Sequence, residues 1–178
     1  LLAKAGTKVV VVDRDGGLAK RTVEMIAEAG GEGMAFEADV TKTSECAGMV
    51  AAAVTRFGRL DLLDNNVGIG SRGSVVDVSE TEWQRVMQVN VETMFLAGGA
   101  TVNVSSLPAI RPRGLTAYTV SKSAVIGLTK AMAVDHGKEG IRVNCVAPGP
   151  VYTPMVYARG MTPSARACAA ARSMRTAG

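Results

Sequence analysis

Apolar runs of four to six residues alternate with longer stretches of helical periodicity through the first 150 residues. Lys8–Val12 (KVVVV) predicts a buried strand ending at Asp13, and residues 17–29 predict a helix closed by Gly30 and Gly31. Met34–Phe36 is a short predicted strand before Asp39, and residues 43–57 form a second helical pattern that stops at Gly58. Leu60–Leu63 predicts a strand ending in Asn65-Asn66, and residues 80–97 are helical again, with Trp83, Val86, Met87 and Asn90 on a core face. Thr101–Val104 is the next predicted strand, ending in Ser105-Ser106. Ala117–His136 predicts a long helix, and Ile141–Val146 a strand ending in Pro148-Gly149. Strand and helix alternating at this spacing predict βαβ units: an α/β fold with a doubly wound parallel sheet covered by helices on both faces. Near-continuous Val, Ile and Leu in the strands predict burial on both sides.

Composition and charge narrow the function. The chain has 178 residues, 47% of them hydrophobic, and a formal net charge of +4. No segment approaches the ~18 apolar residues of a membrane span. Residues 151–178 hold Arg159, Arg166, Arg172 and Arg175 and no acidic residue, so residues 1–150 are neutral with 16 basic and 16 acidic residues. A nucleic-acid surface needs a basic stripe on a folded face, which this body lacks. Three cysteines, widely spaced and without a C-x-x-C pair, fit a reducing cytoplasm rather than a disulfide framework. His136, the one histidine, closes the long helix without a second metal ligand nearby, so no metal site is expected. Asn103-Val104-Ser105 is a formal glycosylation sequon inside a β-like run and reads as chance.

In an open parallel sheet, ligands bind outside the carboxyl ends of the strands. Polar residues collect there: Asp13, Asp39, Asn66, Ser105 or Ser106, and the turn after Val146. A lone polar residue after a strand is usually a cap or turn former, but here every strand end carries one. Tyr118 and Lys122 are four residues apart and share a face of the long helix. A phenol of pKa about 10 is a poor acid or base at neutral pH, and an adjacent ammonium lowers that value. Ser106 lies 12 residues upstream, at a strand end. Gly68, Gly70 and Gly73 spell G-x-G-x-x-G, yet the next helix starts only about Ser79, so the loop opens no helix to hold a pyrophosphate.

Together these residues resemble the short-chain dehydrogenase/reductase family in its classical form. The resemblance rests on seven motifs in the family's order over about residues 8–154: Asp13, Asp39-Val40, Asn65-Asn66-Val67-Gly68, Asn90, Ser106, Tyr118-x-x-x-Lys122, and Pro148-Gly149 with Thr153. It implies a Rossmann-like fold and an NAD(P)-dependent oxidoreductase interconverting a secondary alcohol with a ketone or aldehyde. Tyr118 would move the proton, Lys122 would lower its pKa and bind the nicotinamide ribose, Ser106 would bond the substrate oxygen, and Asn90 would hold a relay water. Asp13 would take the adenosine ribose, which favours NAD over NADP, and Asp39 and Val40 the adenine. Asn66 and Gly68 would line the cofactor's middle, and Pro148, Gly149, Val151 and Thr153 its nicotinamide end.

The chain also departs from the family pattern. It starts at Leu1 in what reads as a helix end, so the first βα unit with its glycine loop, and the usual C-terminal end, are expected to be missing. Residues 1–160 then form an incomplete Rossmann-like oxidoreductase domain, and residues 161–178 a basic Ala/Arg-rich, poorly ordered tail. Val67 replaces the usual small Ala. Only 16 residues separate Asn90 from Ser106, which implies a helix shortened by about three turns. The family is usually a homotetramer or dimer, and a shortened helix tells against that assembly here. Ser105 has the commoner spacing to Tyr118, while the second serine of such a pair usually carries the role, which favours Ser106. Three readings follow: an NAD-linked enzyme acting on a small molecule, a non-catalytic remnant, and an interaction module using the basic tail.

Overall fold

The computed structural model describes residues 1–95, 100–112, 114–149 and 151. They fall into two compact units, the first running from Leu1 to Leu63 with Phe95, the second from Asp64 to Met94 and onward from Ala100.

In the first unit, β1 (Val9–Asp13) and β2 (Gly33–Glu37) pair in parallel, Val9 beside Gly33 and Asp13 beside Glu37. Helix α1 (Gly16–Glu28) connects them, and α2 (Thr43–Phe57) follows. Asp15 caps α1, its carboxylate accepting from the Gly17 and Leu18 amides at 2.9 and 3.2 Å, which satisfies two N–H groups that the first turn leaves open. Gly31 makes room for the turn into β2, because a β-carbon there would stand 2.7 Å from the Ala3 side chain. Gly58 ends α2 at φ +81°, with its N–H on the Val54 carbonyl. The core is small: Ala19, Ala38, Cys46, Met49 and Ala53. The strands are only half-buried, contrary to the expected burial on both sides. With two strands in this sheet, each is an edge, and an edge keeps one flank open.

In the second unit, β3 (Leu63–Asn65), β4 (Thr101–Val104) and β5 (Val143–Val146) form a sheet of order β3-β4-β5, with β4 and β5 parallel. The described strands thus pair in two groups. Strand β3 sits later than the apolar run Leu60–Leu63 suggests; Leu62 is 43% exposed, while Asn65 lies inside the strand. The reason is polar. Asn65 Nδ2 donates to Asn103 Oδ1 at 2.9 Å, and Asn103 Nδ2 donates to Thr129 Oγ1 at 3.0 Å. Strand β5 likewise begins at Val143 rather than Ile141.

The expected helix over 80–97 is interrupted. Helix α3 (Glu80–Met87), capped by Ser79, passes into a π-helical segment over Gln88–Glu92 and then a short α4 (Thr93–Phe95). Val86 and Asn90 are fully buried, but Trp83 is 36% exposed, so it is not a core residue as its spacing suggests. Helix α5 (Thr116–His136) buries Ala117, Ser121, Val125 and Thr129 in one row, with Lys122 beside it. This i, i+4 row of small side chains lets the helix lie close on β4 and β5. Asn103, the sequon residue, is fully buried and hydrogen-bonded at both ends of its carboxamide. No helix among the described residues is long and apolar enough to cross a membrane.

Candidate active site

In the second unit the expected catalytic residues lie on the chain leaving β4 (Ser106), on the π-helical segment (Asn90) and on α5 (Tyr118 and Lys122). The chain leaving β4 runs beside the chain leaving β5: the Ser105 amide bonds the Val146 carbonyl at 2.8 Å, and the Leu107 amide the Pro148 carbonyl at 2.9 Å. Ser106 is half-exposed in extended backbone at the end of β4. Gly149 and Val151 are exposed on the strand-β5 side. Thr153 lies outside the described residues, as do those of the basic tail.

Lys122 is the centre of the cluster. It is 3% exposed, and its Nζ donates to the Val104 carbonyl at 2.8 Å. Burial pulls its pKa from an ordinary 10.5 down to about 8, with the nearby Cys145 sulfur acting the other way. The ammonium is therefore mostly charged at neutral pH and becomes neutral in mild alkali. Ser105 Oγ donates to the Lys122 main-chain carbonyl at 2.7 Å and is itself buried. The two serines thus differ. Ser105 faces inward and holds α5, whereas Ser106, one residue on in an extended chain, faces the other way.

Asn90 sits at the middle of the π-helical segment. Its Oδ1 accepts from the Ile69 amide at 2.8 Å, and its Nδ2 donates to the Ile69 carbonyl at 3.0 Å and to Ser121 Oγ at 3.0 Å. Both N–H groups of its carboxamide are thereby committed. Those bonds pin the loop carrying Gly68 against the helices, and a β-carbon on Gly68 would stand 3.1 Å from Lys122 Nζ and 3.4 Å from Asn90 Oδ1. Asn66 is exposed at the end of β3. The glycines at 68, 70 and 73 open no helix, since α3 starts at Glu80 behind its own Ser79 cap. Tyr118, half-exposed, stands one turn before Lys122 on α5.

The first unit places Asp13 at the end of β1, where its Oδ1 accepts from the Asp15 amide at 2.9 Å. Asp39 Oδ1 accepts from the Thr41 amide and hydroxyl at 3.0 and 2.7 Å, and these bonds hold its pKa below the ordinary carboxylate value. The Asp39 amide donates to Glu45 at 2.6 Å, and the Val40 carbonyl accepts from Cys46 Sγ. Both carboxylates therefore also work as turn formers, the commoner role of an acid after a strand.

Sequence reasoning passed over Ser121 and the structural duty of Ser105. Ser121 was visible as the hydroxyl between Tyr118 and Lys122 in YTVSK, three residues beyond Tyr118, the reach at which serine bonds back within a helix. Its partner Asn90, 31 residues upstream, was not readable from local spacing.

An α/β unit with a buried lysine, a tyrosine one turn before it and a serine at a strand end matches known proteins over nearly its full length. The family model described as Enoyl-(Acyl carrier protein) reductase matches residues 1–177. The (2S)-[(R)-hydroxy(phenyl)methyl]succinyl-CoA dehydrogenase subunit BbsD of Thauera aromatica is 34% identical over 165 residues, covering 86% of this chain and 66% of the relative. A solved structure from Burkholderia xenovorans, described as a short-chain dehydrogenase/reductase, superposes with a TM-score of 0.86 at 32% identity, over 98% of this chain and 72% of that one. The 3-ketoacyl-(acyl-carrier-protein) reductase of Brucella melitensis, solved with NADH, gives a TM-score of 0.79 at 34% identity, over 86% of this chain and 69% of that one. The chain belongs to the short-chain dehydrogenase/reductase family. It spans about two thirds of the length of the Thauera relative.

Proposed function

We propose that this chain carries the chemistry of an NAD-linked oxidoreductase that interconverts a secondary alcohol and a ketone. The observation that carries the reading is Lys122: a buried ammonium anchored on the Val104 carbonyl, one helical turn beyond Tyr118. Burying a charge is costly without an ion-pair partner, and Lys122 Nζ has a single hydrogen bond among the described residues, so a lysine kept buried among polar groups is a candidate for function. The relatives' names support both directions of such a reaction: one is a (2S)-[(R)-hydroxy(phenyl)methyl]succinyl-CoA dehydrogenase, and another a 3-ketoacyl-(acyl-carrier-protein) reductase.

The residues fit a nicotinamide cofactor. Asp13 ends β1 with one carboxylate oxygen turned to the Asp15 amide, and the other can accept from ribose hydroxyls. A 2′-phosphate would be repelled there, so NAD is favoured over NADP, in line with the NADH in the Brucella structure. Asp39 and Val40 are proposed at the adenine, Asn66 and Gly68 at the cofactor's middle, and Pro148, Gly149, Val151 and Thr153 at its nicotinamide end. When bound, the cofactor supplies the hydride acceptor.

The protein's own part is position and the proton. Ser106, half-exposed and free of the structural bond that occupies Ser105, bonds the substrate oxygen. Tyr118 exchanges the proton with that oxygen, and the Lys122 ammonium favours the negative charge that develops on the phenol oxygen. The side chain of Asn90 is committed to Ile69 and Ser121, so a relay water would be held by its main-chain carbonyl. The test is a thermal-shift titration of the full chain with NAD and NADP, followed by NADH formation from a panel of secondary alcohols. The reading expects a shift with NAD, a weaker one with NADP, and turnover. No shift at millimolar NAD would instead establish a non-catalytic member of the family.

A further inference from the structure

Ser121 has no role in the reaction as set out above, yet among the described residues its hydroxyl joins Asn90 to the turn carrying Tyr118. The residue is fully buried. Its Oγ accepts from Asn90 Nδ2 at 3.0 Å and donates to the Tyr118 main-chain carbonyl at 2.8 Å. A serine hydroxyl offers one proton, and here that proton goes to Tyr118 while an oxygen lone pair takes Asn90. The other polar contacts of Asn90 go to the Ile69 main chain, so the loop through Gly68, the π-helical segment and the first turns of α5 meet at this carboxamide.

Helix formation alone would favour alanine here. Serine in a helix interior bonds back to its own helix and is the weaker helix former, and Ala117 fills the equivalent buried position one turn earlier. What the hydroxyl adds is the bond across to Asn90. Without it, one Nδ2 hydrogen of Asn90 would be buried without a partner, and that group would shift to find one.

We infer that Ser121 is a positioning residue, which sets the orientation of Asn90 and, through the Tyr118 carbonyl, the placement of the turn that bears the phenol. The inference rests on the reading of Tyr118 as the proton carrier. Its test joins a spectroscopic readout to kinetics, in the full chain labelled with 15N-asparagine and with the Asn90 signal assigned by its loss in Asn90→Asp. In Ser121→Ala the Asn90 carboxamide resonances are expected to shift and their hydrogens to exchange about ten-fold faster or more. The same variant is expected to lower kcat about ten-fold at unchanged KM, because the substrate's own contacts remain. Ser121→Thr, which keeps the hydroxyl, restores the signals and the rate. Should the alanine variant not fold, Ser121→Cys, with its weak donor, is measured in its place and is expected to show the same changes in smaller degree. Unchanged Asn90 signals in the alanine or cysteine variant, or a threonine variant as impaired as alanine, would overturn the inference. Because the carboxamide signals need neither cofactor nor turnover, a wild-type chain that turns nothing over would count against the oxidoreductase reading and leave this assignment to the spectra.

Discussion

Gly68 and Lys122 are fitted to each other: a β-carbon on Gly68 would lie 3.1 Å from the Lys122 ammonium nitrogen. The loop after β3 can approach that closely only because it has no side chain there, and the approach places a backbone segment over a buried charge. Gly68→Ala therefore displaces Lys122 Nζ by a few tenths of an ångström and weakens its 2.8 Å bond to the Val104 carbonyl. The expected loss is about 1 kcal/mol for alanine and up to about 3 kcal/mol for valine, the usual range for overpacking a tight site. Urea denaturation of both variants measures it.

The buried lysine makes stability depend on pH with a definite sign. Its folded pKa of about 8 lies below the ordinary 10.5, so between those values the unfolded chain holds a proton that the folded chain has released. The contribution of Lys122 to stability accordingly rises as pH increases through that window. Below it, the charge burdens the fold by a constant amount on the order of 3 kcal/mol. Lys122→Met removes that burden and also the bond to Val104, for a net stabilisation of about 1–2 kcal/mol at pH 7. Denaturation series at pH 7 and near pH 10.5 should show the advantage of methionine shrinking as the pH rises.

The neighbouring serines separate cleanly. Ser105→Ala breaks a buried bond to the Lys122 carbonyl and is expected to cost about 1–2 kcal/mol of stability. Ser106→Ala leaves stability within about 0.5 kcal/mol, as for a partly exposed residue, and reduces kcat by about 10²-fold. Thermal melts and steady-state rates on the same two variants decide between them.

Asn103 carries the polar core of the second unit. Asn103→Leu strands the Asn65 carboxamide against an apolar group and removes the donor to Thr129. A buried polar group left without its partner costs about 1–3 kcal/mol, so this variant should lose at least that amount in urea denaturation.

The alternation of strands and helices could be read from the chain because its period changes from an unbroken apolar run to helical spacing at each boundary. The positions of Asp13, Ser106, Tyr118 and Lys122 at strand ends or on one face of α5 followed from the same pattern. Three features could not be read that way. Strand β3 is placed by Asn65 reaching Asn103, a bond between residues 38 positions apart, and not by the leucines before it. The π-helical segment holds Asn90 against the Ile69 main chain, and helical periodicity over 80–97 contains no trace of that partner. Trp83 matches a core spacing, yet a spacing names only a face, and what covers the face is decided elsewhere in the chain. In the first two cases a polar side chain found a distant partner, and local pattern carries no record of such partners.

The central claim is that Tyr118 moves the proton with Lys122 behind it. Its most direct test is the rate of NADH formation by the full chain and by Tyr118→Phe, with the secondary alcohol that turns over best, alongside NAD binding by both. Loss of at least about 10²-fold in kcat with NAD binding retained is the predicted result. Turnover by Tyr118→Phe at a rate close to that of the unmodified chain would contradict it.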